Sequence, residues 1–150
     1  MKKIVSLLII LSLSLSLYSC KKQRDTYALV SEFVRVYGAE GIIYSPGVSE
    51  GNDGYLSEGV IERAFRLSGA LPKSYAIFLN SHPDFGSECG AFLCESTDML
   101  AYMEESCLER IRLLDPGGER SFIKINKNLL FYSTMEDAPR AKRIWQEIIR

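Results

Sequence analysis

The chain has 150 residues, with 18 Lys and Arg against 19 Asp and Glu and a formal net charge of −1. Both signs are interspersed, which speaks against nucleic acid as a partner, since such a partner calls for a basic face. One histidine, His82, leaves a Cys/His zinc site poorly supplied, and no metal or other cofactor is expected.

The chain begins with Met1-Lys2-Lys3 and an apolar run from Ile4 to Leu17, followed by Tyr18-Ser19-Cys20 and Lys21-Lys22. A positive start, a short hydrophobic run and an abrupt polar switch are the marks of a secretory signal peptide. The run is shorter than the roughly 20 residues a membrane-crossing helix needs, so cleavage is expected rather than a permanent span. Leu17-Tyr18-Ser19-Cys20 resembles the lipobox of bacterial lipoproteins. That resemblance implies a signal peptide over residues 1–19, cleavage before Cys20, and acylation of the Cys20 thiol and of the new amino terminus. Lipidation at Cys20 would hold the protein on the extracytoplasmic face of the cell membrane. Two or three acyl chains suffice, because each buried methylene adds about 0.8 kcal/mol. Residues 20–25 then form a short tether, with Lys21, Lys22 and Arg24 placed to meet anionic headgroups. The alternative is an ordinary secreted protein in which Cys20 is incidental.

Residues 26–150 are one domain's worth of chain. Loss of Lys2 and Lys3 takes the basic count from 18 to 16 against 19 acids, a net charge of about −3. Leu29, Val30, Phe33, Val36 and Tyr37 recur at helical spacing, which predicts a first helix over 26–37 stopped by Gly38. Ile42-Ile43-Tyr44 is a short β-prone run ended by Ser45-Pro46-Gly47, and residues 49–54 are turn chemistry. Their acids do not match the spacing of a calcium loop. Leu56, Val60, Ile61, Ala64 and Leu67 mark a second helix that ends near Ser68-Gly69.

Residues 74–79 and 88–94 read as strands joined by a polar loop. Ser96 supplies an N-cap, and Leu100, Met103, Cys107, Leu108, Ile111 and Leu114 follow at three- and four-residue steps to the turn at Asp115-Pro116-Gly117-Gly118. Residues 121–125 and 129–133 flank Asn126-Lys127-Asn128 and predict a hairpin, asparagine being tolerant of the positive φ a tight turn needs. Asp137 caps a last helix with Pro139 in its first turn and Ala141, Ile144, Trp145 and Ile148 on its apolar side. The predicted fold is α+β: a two-layer, four-stranded antiparallel sheet carrying two helices in the order β-β-α-β-β-α, preceded by two N-terminal helices. Both C-terminal helices are expected side by side on that sheet, with Met103 and Trp145 buried. The polar strand face is expected either wet or covered by the two N-terminal helices.

Residues 75–79, Glu88-Cys89-Gly90-Ala91-Phe92, Glu109-Arg110-Ile111, residues 126–132 and the helix after Glu136-Asp137-Ala138 together resemble the DUF4358 group. Its members are lipid-anchored or secreted bacterial proteins with no assigned activity, and the resemblance implies no catalytic residues. It covers residues 74–150.

Besides Cys20, the cysteines are Cys89, Cys94 and Cys107. An odd count outside the cytoplasm allows at most one internal disulfide, and three buried small hydrophobes are an equal reading. Cys89 and Cys94 lie five apart in one strand, point to opposite faces and do not easily bridge. Thiol chemistry needs a nearby base, for which His82 alone is available. Glu104 with Glu105, Glu50 with Asp53, and Glu58 with Glu62 read as solvated pairs rather than a glycosidase pair. Tyr44, Tyr55 and Phe85 fall in loops and could line a cleft. The expected function is therefore a non-enzymatic, membrane-anchored domain that binds a protein or small ligand at the cell surface. The alternative is a surface thiol or redox enzyme using Cys94 or Cys107.

Overall fold

The computed structural model describes residues 25–81 and 87–150. Cys20, the expected signal peptide over residues 1–19, the expected tether up to Arg24, His82 and Phe85 lie outside the described residues. The first helix, α1 (Thr26–Tyr37), is capped by the Asp25 carboxylate, which accepts from the Tyr27 amide, and it ends at Gly38 with φ 74°. Glycine suits that left-handed position because it has no Cβ to clash. Strand β1 (Gly41–Tyr44), helix α2 (Glu58–Phe65), strands β2 (Ser74–Asn80) and β3 (Glu88–Leu93), and helix α3 (Thr97–Leu114) follow. The hairpin β4 (Phe122–Asn126) and β5 (Leu129–Ser133) leads to helix α4 (Ala138–Ile148). Ser96 and Asp137 cap α3 and α4 through side-chain oxygens that accept from Met99 and Arg140. None of the described helices is long and apolar enough to cross a membrane.

The five strands form one antiparallel sheet in the order β1-β2-β3-β5-β4. The expected count of four is thus corrected. The run Ile42-Ile43-Tyr44 is itself an edge strand, with Ile42 opposite Leu79 and Tyr44 opposite Ile77. The hairpin forms with Phe122 opposite Ser133 and Asn126 opposite Leu129. Its left-handed residue is Lys127 at φ 58°, not an asparagine. The hairpin register outweighs the local preference, since one αL residue costs only about 1–3 kcal/mol.

The layering also differs from expectation. Every residue of β3 and of β5 is buried, which requires cover on both faces of the sheet. On one face Ala76, Phe78, Cys89, Ala91 and Phe131 meet Leu29, Val30 and Phe33 of α1 and Ala141, Ile144 and Trp145 of α4. On the other, Tyr75, Ile77, Phe92, Leu130 and Tyr132 meet Ile61 and Phe65 of α2 and Met103, Cys107 and Ile111 of α3. The arrangement is three layers, with one N-terminal helix on each side. Met103 and Trp145 are both buried, at 0 % and 4 % exposed, but on opposite faces, so α3 and α4 are not neighbours. Each pairs instead with an N-terminal helix, α3 with α2 and α4 with α1. Leu108, counted in the α3 stripe from sequence, is 41 % exposed, because it steps off the line of Met103, Cys107 and Ile111.

Candidate functional site

Only Glu88 and Asp115, among the described charged side chains, are buried. Asp115 accepts from the Arg120 amide and the Ser121 hydroxyl, the latter holding its carboxyl below the usual range, so its role is to close the turn after α3. Glu88 is the more demanding case. It opens β3 on the face covered by α3, and Arg110 reaches it from that helix. Arg110 Nε donates to Oε1 at 2.9 Å and Nη2 donates to Oε2 at 2.7 Å. The Tyr132 hydroxyl donates to Oε1 at 2.7 Å from β5.

Backbone geometry makes room for this cluster. Gly90 faces Tyr132 across the β3–β5 ladder, and a Cβ there would lie 2.6 Å from the Tyr132 ring. The tyrosine lies over the glycine and so reaches Glu88. Burial, followed by the Glu88 charge, pushes the Tyr132 hydroxyl well up, so it remains a donor. The Glu88 hydrogen bond raises the Arg110 guanidinium further. Both carboxylate oxygens are occupied, which makes Glu88 a clamp between two strands and a helix rather than a ready general base.

The three described cysteines are free and buried. Cys89 sits on the α1/α4 face, whereas Cys94 and Cys107 sit together on the α2/α3 face, as strand alternation dictates for the first two. Burial pushes the Cys94 thiol up to about 11. Cys107 is pushed well up by burial and then by the Glu88 charge, and Cys89 likewise. Reactive thiols sit where the pKa is lowered and solvent has access, the opposite of these surroundings. Native protein at pH 7.5 is therefore expected to resist iodoacetamide at these three positions and to be fully alkylated in denaturant. Stoichiometric labelling of Cys94 or Cys107 in the folded state would show this account of the thiols to be wrong.

A second feature is a cleft of about 360 Å³ between the first turn of α1, the segment after β1 and the start of β2. Asp25, Tyr27, Ser45, Val48, Lys73 and Ser74 line it. The Thr26 and Ser74 hydroxyls hydrogen-bond at 2.6 Å and pin α1 to β2 at its rim. Ser45, 7 % exposed, accepts from the Gly47 amide through its side chain.

From sequence, the loop aromatics Tyr44, Tyr55 and Phe85 could line a cleft. Tyr44 and Tyr55 are not among the cleft residues, and the aromatic there is Tyr27, which was read only as part of a helix. The solvated pairs behave as expected: Glu50, Asp53, Glu58 and Glu105 are exposed, with Glu62 and Glu104 intermediate. Glu88 and Arg110 escaped notice as a pair. The available signal was an arginine at a core-facing step of α3, three residues after Cys107. Comparison with protein-family models, with curated proteins and with solved structures yields no match to this chain.

Proposed function

We propose that the chain is a bacterial lipoprotein, held on the extracytoplasmic face of the membrane through acyl chains on Cys20, whose folded part binds a ligand or partner protein without catalysing a reaction. The observation that carries this reading is Leu17-Tyr18-Ser19-Cys20 after a short apolar run, five residues ahead of the cap that starts α1. The first residue of a fold that begins so close to the anchor lies within about 18 Å of the point of attachment, the reach of five extended residues. The weak resemblance of residues 74–150 to the DUF4358 group, which has lipid-anchored members of no assigned activity, agrees with it. The saturated Glu88 clamp and the buried, protonated thiols favour binding over thiol chemistry. The cleft beside Asp25 supplies a recess for a ligand.

Cys20→Ala is expected to abolish lipid attachment and to leave uncleaved precursor at the membrane, since no nearby residue replaces the thiol. Mass spectrometry of the mature amino terminus is the direct measurement. An unmodified terminus at any residue other than Cys20 in the wild-type protein would overturn the anchor. Turnover of cell-wall fragments or peptides, lost on one substitution, would overturn the non-enzymatic reading.

A further inference from the structure

We propose that the cleft between α1 and β2 binds a zwitterionic phosphate compound, an ammonium-bearing phosphodiester of the kind carried by a phospholipid headgroup, and takes it from the membrane to which Cys20 ties the chain. The membrane source rests on the lipoprotein reading above; the ligand chemistry does not.

Among the described residues, the cleft is lined by one charge of each sign, Lys73 and Asp25. Lys73 forms no ion pair among the described residues, and Asp25, which shares the cleft, is not paired with it. Opposite charges that line one recess without pairing suit a ligand that bears both. Lys73 meets the phosphate, and Asp25 meets the ammonium. One Asp25 oxygen accepts from the Tyr27 amide at 3.2 Å, and the second has no hydrogen-bond donor among the described residues.

Hydroxyl groups complete the phosphate side. Ser45 is buried and uses its oxygen as an acceptor, which leaves its proton to donate. Ser74 stands next to Lys73 and is fixed by Thr26, so the recess is formed before ligand arrives and little ordering is lost on binding. The volume, about 360 Å³, is at the small end of ligand pockets and matches a headgroup rather than a peptide. Tyr27 is 42 % exposed at the rim, an amphipathic ring of the type favoured at membrane–water interfaces. Since Asp25 also stands five residues after Cys20, the cleft is kept near the bilayer.

The test uses the full chain purified in detergent micelles and titrated with glycerophosphoethanolamine, with inorganic phosphate as the comparison. Wild type is expected to bind glycerophosphoethanolamine more tightly than phosphate by calorimetry. Lys73→Ala should weaken both by about tenfold, the usual effect of losing one charge-assisted contact. Asp25→Asn retains a capping oxygen, so α1 is preserved. It should weaken glycerophosphoethanolamine binding while leaving phosphate binding equal or stronger, a split that a folding defect would not produce. Unchanged binding in both variants, or no preference for the zwitterion in wild type, would overturn the site.

For the source, the acylated chain is placed in vesicles of phosphatidylglycerol alone, whose headgroup has no ammonium, and in vesicles of phosphatidylglycerol mixed with phosphatidylethanolamine. Competition against soluble glycerophosphoethanolamine only in the vesicles that contain phosphatidylethanolamine supports a membrane ligand. Equal binding in both vesicles overturns the membrane source and supports a soluble compound of the same chemistry. Cys20→Ala leaves every cleft residue in place, so failure of the anchor and failure of the cleft are read separately.

Discussion

Trp145→Ala is expected to destabilise the protein by about 3–5 kcal/mol, the cost of emptying a large aromatic site in a packed core. Trp145 is 4 % exposed, and its ring stacks on Phe131 at 4.4 Å between centroids with 13° between planes. Phe131 in turn touches Phe33 at 4.8 Å, so the indole is one end of a chain of rings running from α4 through β5 to α1. Removing it weakens two helix attachments at once. The loss is a large part of the 5–15 kcal/mol that holds an ordinary domain together. Denaturant unfolding followed by far-UV circular dichroism is the measurement, because Trp145 is the chain's single tryptophan and the variant has no indole fluorescence. Trp145→Phe should restore part of the stability by keeping a ring on Phe131. A change in stability below about 1 kcal/mol for Trp145→Ala would mean that α4 is not held as described.

Local signals made the elements legible. Capping side chains at Ser96 and Asp137 and the stops at Gly38 and Asp115 fix helix ends through chemistry confined to a few residues. The apolar steps Met103-Cys107-Ile111 and Ala141-Ile144-Trp145 likewise state which side of each helix is buried. They do not state which face of the sheet each helix covers, because that depends on contacts distant in sequence. A clue was nevertheless present in residues 129–132, where an unbroken apolar run with Tyr132 beside Phe131 implies a strand covered on both faces. Ile42-Ile43-Tyr44 was visible as β-prone, but its place beside β2 was not, since pairing Gly41 with Asn80 spans the whole of α2. The cleft was harder still. It brings Asp25, Ser45 and Lys73 together from three elements, and each alone has an ordinary reading as a cap, a turn residue and a surface cation.

The Glu88 cluster shows the same limit and supplies the sharpest test of the three-layer packing. Glu88 is 3 % exposed and depends on Arg110 for charge compensation, while the Arg110 side chain is 25 % exposed and keeps some contact with water. The two halves of the pair are therefore unequal. Arg110→Met removes the charge partner of a buried carboxyl and leaves Tyr132 as its one side-chain donor among the described hydrogen bonds, and is expected to cost about 3–5 kcal/mol. Glu88→Gln leaves a guanidinium that can turn toward solvent and a neutral amide that still accepts from Tyr132, so its cost should be smaller, about 1–3 kcal/mol. Combining the two removes the orphaned charge. The double variant should thus be less destabilised than the sum of the singles, and near or below the cost of Arg110→Met alone. Urea unfolding of the four proteins, with the slope checked for a common denatured state, measures the coupling. Strictly additive losses would sink the assignment, because they would mean that Arg110 and Glu88 do not meet and that α3 is held to the sheet by Met103, Cys107 and Ile111 alone.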